Sequence, residues 1–112
     1  MFIPNTDMKE DKIYYIYVHT SPNGRKYIGM TTNIKNRWKV NRYKCNKQFY
    51  DDIIKYGWDN IEHEILATTN YGWLARKIER DMILRYKDVR YNTTNFKYDN
   101  YYSDYSRLHK KS

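Results

Sequence analysis

The sequence predicts an α+β fold: a small, mostly antiparallel three-stranded sheet flanked by helices, in the order β-β-α-α-β-α. Three observations carry that prediction. The run KIYYIYVHT at 12–20 is β-branched and aromatic, turn chemistry follows at Ser21-Pro22-Asn23-Gly24, and the pattern resumes from Arg25 to Met30. This makes a β-hairpin with a loop of about four residues. Toward the C-terminus, Leu74, Ile78 and Met82 recur at i, i+4 and i+8, with Ala75 and Ile83 widening the stripe, which is the signature of an amphipathic helix. Between them IEHEILA at 61–67 begins with alternation and ends apolar, as a third strand does.

After the hairpin, Asn33 can cap a helix running through Ile34, Trp38 and Arg42 to about Lys44. A shorter helix is predicted from about Lys47 to Tyr56, stopped by Gly57. The long helix starts at Thr69 or Asn70 and reaches about Tyr86. Around this frame, residues 1–11 are polar and are expected to form an arm, residues 12–95 the domain, and residues 96–112 a Tyr- and Ser-rich tail without periodicity.

A chain of 112 residues is expected to form one domain, burying roughly two-thirds of the surface its unfolded form exposes, enough for a core without staples. Its single thiol, Cys45, rules out an intramolecular disulfide, and with no CxxC and no close His pair a Cys-rich zinc site is excluded. No apolar run approaches the roughly 18 to 20 residues that span a bilayer, and Met1–Lys12 lacks the basic and apolar regions of a signal peptide. The expected context is therefore soluble, reducing and cytoplasmic, or the host cytoplasm or nucleus if the protein is viral. A Lys-, Asn-, Ile- and Tyr-rich composition hints at an AT-rich genome such as that of a phage or large virus.

The net charge is +8, and its placement says more than its size. Between Lys12 and Tyr50 there is no acidic residue, yet nine basic ones occur: Lys12, Arg25, Lys26, Lys35, Arg37, Lys39, Arg42, Lys44 and Lys47. Tyr27, Trp38 and Tyr43 are interleaved with them. A basic segment of this kind, with no carboxylates to neutralise it, is the electrostatic footprint of a phosphate-backbone binder.

Tyr15-Ile16-Tyr17 on the first strand and Tyr27-Ile28-Gly29 on the second can bring Tyr17 and Tyr27 side by side, and Arg37 follows ten residues after Tyr27. At these residues the sequence resembles the GIY-YIG nuclease family, in which two short motifs on a hairpin are followed by an Arg on the next helix. The resemblance extends through Lys55-Tyr56-Gly57-Trp58-Asp59-Asn60-Ile61-Glu62-His63-Glu64, which looks like the segment entering the third strand of stand-alone phage-type members, and ends at Tyr91-Asn92. Each motif alone is weak; five in order over about residues 12–95 are jointly specific.

The resemblance implies a divalent-metal-dependent endonuclease acting on DNA, expected to be double-stranded, with Tyr17, Tyr27, Arg37, Glu79 and Asn92 as the catalytic set. Arg37 would supply an always-protonated fork for the phosphate oxygens. Glu79 occupies the family's metal-binding position and would give a hard oxygen ligand to one Mg²⁺ or Mn²⁺. Tyr17 or Tyr27 is then the general base, although ionising a free Tyr at pH 7 costs roughly 4 kcal/mol that Arg37, Lys26 and the metal must help to offset. Lys26, Lys35, Lys39 and Arg42 are expected to contact phosphates outside the chemistry.

Each residue also has a plainer role. A hairpin Tyr usually packs, and a Glu beside an apolar stripe, here followed by Arg80, is usually a surface residue. The sequence departs from the family in having Tyr15 for the Gly of the first motif and Asn41 where many relatives carry a His four residues after the Arg. Of the three His, only His19 is expected near the site; His63 lies on a strand and His109 in the tail. The alternative function is a non-catalytic nucleic-acid-binding module using the same basic face. With no further DNA-reading domain after residue 95, the protein is expected to act as a monomer or a transient homodimer on DNA.

Overall fold

A computed structural model describes residues 9–91; residues 1–8 and 92–112, which include Asn92, the end of the expected domain and the tail at 96–112, lie outside the described residues. The hairpin consists of β1 (Tyr14–Thr20) and β2 (Lys26–Thr31), and β3 (Glu62–Thr69) lies on the other side of β1. The strand order is β2-β1-β3 with both pairings antiparallel, so the predicted α+β sheet is present. In the hairpin Tyr17 stands opposite Gly29 and His19 opposite Tyr27. Against β3, Ile16 faces Ala67 but Tyr17 faces Ile65, which leaves Leu66 as the extra residue of a β-bulge.

Strand alternation divides the core in two. Ile16, Val18 and Ile28, with Tyr14 and Met30, face α3 (Gly72–Arg85), which meets them through Ala75 and Ile83 and the partly buried Ile78 and Met82. The opposite face carries Tyr17, His19 and Tyr27, covered by a second core of Tyr43, Phe49, Ile53, Ile61 and Tyr91. Phe49 and Ile53 come from α2 (Lys47–Tyr56), which is capped by Asn46, whose Oδ1 accepts from Phe49 N–H at 3.1 Å, and ends at Gly57 as predicted.

The first helix differs from the prediction. In place of one helix to Lys44 there is a single turn, α1 (Ile34–Arg37), then an extended Lys39, then a 3-10 turn at Val40–Tyr43. In an unbroken helix Trp38 and Tyr43 would point about 140° apart. The break turns both rings into the aromatic core, Trp38 against Tyr17 and His19, Tyr43 against His19, Tyr27 and Phe49. Burial of two large rings outweighs a few helical hydrogen bonds.

The long helix starts later than expected, at Gly72, and its N-cap residue Tyr71 makes no side-chain cap. Glu10, assigned by sequence to the arm, takes that role: its Oε2 accepts from Gly72 N–H at 3.1 Å and its Oε1 from the Tyr14 hydroxyl at 2.8 Å. A Cβ at residue 72 would stand 2.6 Å from the same Oε2, so a larger residue there would make the Glu10 carboxylate shift. β3 is likewise shifted, spanning 62–69 rather than 61–67. Among the described residues no helix is long and apolar enough to cross a membrane.

Candidate active site

Arg37 ends α1, and the interruption of the helix just after it lets the side chain lie over the second core. Its guanidinium carbon sits 4.3 Å from the centre of the Tyr43 ring. Nη1 donates to the Arg42 carbonyl and Nη2 to the Tyr27 hydroxyl, both at 3.0 Å. Two of five N–H donors are thus used in holding the fork. Burial works against its charge, but Tyr17, Tyr27 and Tyr43 more than offset that and raise its pKa, so the cation is secure.

The two predicted tyrosines share this face but are diagonal neighbours rather than directly opposed, because Tyr27 pairs with His19. Tyr17 has no exposed surface, and its hydroxyl lies beside that of Tyr43. Burial first and Tyr43 second push that hydroxyl far up, with Arg37 opposing. Burial also raises Tyr27, while the Arg37 charge and hydrogen bond pull it down. Of the two, Tyr27 is the one whose oxygen already accepts from a cation.

Glu79 is not a surface residue. The buried line of α3 is Gly72, Ala75, Glu79 and Ile83, so the carboxylate occupies a position the helix otherwise fills with small or apolar residues, and it is 6 % exposed. The sequence stripe centred on Leu74, Ile78 and Met82 is displaced by about one residue from the true one. Glu79 also contributes to raising the Tyr27 hydroxyl, which places it within electrostatic reach of the tyrosine and Arg37 pair.

Lys35, Lys39 and Arg42 are exposed on the chain around Arg37. Lys26 is not with them: strand alternation turns it to the opposite face from Tyr27, where its Nζ donates to Thr20 Oγ1 at 3.0 Å and lies 5.3 Å from the Tyr86 ring centre. Tyr91 is fixed beside β2, its N–H donating to the Lys26 carbonyl at 2.9 Å and its hydroxyl to Asp52 Oδ2 at 2.8 Å, with Ser21 Oγ also bonded to it. Asn92 follows directly and lies outside the described residues.

Sequence reasoning missed Tyr43 and His63. His19, fully buried at the centre of the ring cluster, has Nε2 2.6 Å from the Tyr43 hydroxyl and Nδ1 2.8 Å from His63 Nδ1. Burial first, then His63 and Arg37, push His19 down to about 2, so it is neutral at any working pH. His63 also places Nε2 3.0 Å from the Trp58 carbonyl and stacks on the Trp58 ring. The only sequence signal for Tyr43 was its place in the acid-free segment six residues after Arg37.

The donors present fit one kind of metal. Among the described residues no three His, Cys, Asp or Glu cluster, so a cation caged by protein ligands does not fit. A hard cation that keeps most of its waters and takes one carboxylate does. Glu79, buried on α3, is the carboxylate that could hold such a cation.

A family model, the GIY-YIG catalytic domain, matches residues 13–92. The chain belongs to the GIY-YIG nuclease family. No curated protein and no solved structure matches it. The GIY-YIG assignment makes the domain a nuclease domain, a hydrolase class whose members generally use a divalent metal, and implies DNA as substrate. In this GIY-YIG chain Tyr17, Tyr27 and Arg37 come from β1, β2 and α1 on one face of the hairpin, and Glu79 comes from α3, which packs on the other.

Proposed function

We propose that the protein is a divalent-metal-dependent endonuclease that hydrolyses DNA phosphodiester bonds, with double-stranded DNA as substrate. The observation that carries this reading is the Arg37 fork, held by Tyr27, Arg42 and the Tyr43 ring with N–H donors to spare. Those donors bind the scissile phosphate and take up charge as the phosphorane-like transition state forms. Tyr27 is the general base: its oxygen accepts from Arg37, a contact that favours the phenolate, and it takes the proton of the attacking water. Tyr17, sealed beneath, shapes the floor of the site.

Glu79 would hold the Mg²⁺ or Mn²⁺, which would supply neutralisation of phosphate charge and stabilisation of the leaving oxygen. Asn92, next to the anchored Tyr91, completes the set. Lys35, Lys39 and Arg42 contact flanking phosphates; Lys26, on the far face, does so only if the DNA wraps the edge of β2. The active unit is residues 12–95 acting as a monomer or a transient homodimer, in a phage or viral setting in the host interior.

The test is plasmid relaxation at low salt, with and without Mg²⁺ or Mn²⁺, for the wild type and Glu79→Ala. Metal-dependent nicking or linearisation by the wild type alone supports the reading. Salt-sensitive binding by both proteins without cleavage replaces it with a non-catalytic nucleic-acid-binding module.

A further inference from the structure

The hydrogen bonds beneath Arg37 have only one arrangement of protons when both imidazoles are neutral. The Trp58 carbonyl can only accept, so His63 Nε2 carries its proton and donates across 3.0 Å. His63 Nδ1 is then bare and accepts. His19 Nδ1, 2.8 Å away, must donate to it, and His19 Nε2 is left as an acceptor. The Tyr43 hydroxyl, 2.6 Å from that nitrogen, is therefore the donor. A carbonyl on the loop before β3 thus dictates, through two histidines, which way a buried phenol points its proton.

We propose that His19 and His63 are positioning residues of the nuclease site, acting through Tyr43 on Arg37. The Tyr43 proton is committed away from the site, toward His19. Its ring, made more electron-rich by that donation, lies 4.3 Å from the guanidinium carbon, nearer than the Tyr27 ring at 5.9 Å. Its oxygen offers no donor to compete with Arg37 for a phosphate. The bonding pattern also explains why a neutral histidine is kept where burial drives its pKa to about 2: a charged His19 could not accept from Tyr43.

The inference rests on the nuclease reading, and the two can fail separately. Long-range ¹H–¹⁵N correlation spectra of the full chain labelled at histidine read each tautomer directly. His19 is expected in the Nδ1–H form and His63 in the Nε2–H form; the reverse forms overturn the proposal whatever the activity. In the kinetic arm, His63→Phe keeps the stack on Trp58 but removes the acceptor. His63→Gln retains both an acceptor and a donor.

A loss of about 10- to 100-fold in kcat with KM unchanged is expected for His63→Phe, the scale of a small misplacement of a catalytic group. His63→Gln should recover most of it, with His19 still in the Nδ1–H form. Equal activity of His63→Phe and wild type, or equal loss in both variants, overturns the positioning role. Absence of cleavage by the wild type itself, with the expected tautomers, instead overturns the nuclease reading.

Discussion

Gly29 lies directly across the hairpin from Tyr17, and the Tyr17 ring occupies the space where a side chain at residue 29 would begin. A Cβ there would fall within 2.9 Å of three Tyr17 atoms, the hydroxyl oxygen among them. The last residue of Tyr27-Ile28-Gly29 is thus glycine for the sake of the tyrosine on the other strand. Gly29→Ala should force the Tyr17 ring upward, costing about 1 to 3 kcal/mol as overpacking does. Urea denaturation measures the stability, and a variant as stable and active as wild type would remove Tyr17 from the floor of the site.

Glu79 and the chemistry can be separated from binding. Glu79→Ala should abolish cleavage while leaving DNA affinity nearly intact, because the carboxylate repels phosphate and contributes nothing to binding without its cation. Gel-shift and cleavage assays on one preparation decide it; residual metal-dependent cleavage at wild-type rate would sink the assignment.

Arg37→Lys should reduce kcat by about 100-fold with a smaller change in affinity, since a point charge cannot reproduce a fork held on two sides while binding phosphate. The variant retains charge, so equal losses in kcat and affinity would reduce Arg37 to a positioning contact.

Burial holds Tyr27 above the ordinary phenol range despite Arg37. A base must be deprotonated to act, so the cleavage rate should climb with pH and still be climbing near pH 9. Tyr27→Phe should remove both the activity and the slope. A profile flat from pH 6 to 10 in the wild type would rule out a titrating tyrosine.

Glu10 should make the fold acid-sensitive. The Tyr14 hydroxyl first, and then the Gly72 N–H, hold its pKa below the usual carboxylate range, against the effect of burial. A carboxylate depressed in the folded state adds stability that is present above its unfolded pKa and lost as pH falls through the folded one. Thermal denaturation between pH 2 and 6 should show a shallower acid limb in Glu10→Gln than in wild type.

Much of this was legible in the sequence because it is local. Asn46 and Gly57 bracket α2 with residue types that do one job each, and the hairpin announces itself through turn chemistry between β-branched runs. What was not legible depends on distant partners. The break after Arg37 is chosen by rings on β1 and α2, not by any helix breaker within Trp38–Lys44. The burial of Glu79, assigned to the metal by resemblance, was not legible because its helix pattern permits an exposed or a covered position, and only the sheet shows which line of α3 is covered. His63 looked like an ordinary strand residue because its significance is its pairing with His19.

That pairing hangs on one residue. Carrying the register of Ile16 and Ala67 onward without the bulge would set Glu64 opposite His19 and turn His63 to the other face. A carboxylate there would draw a proton onto His19 and put charges where the fold holds neutral rings. A single-residue deletion in this strand would therefore act less like a shortened edge than like a rewritten site, exchanging an imidazole for an acid without altering any codon for either.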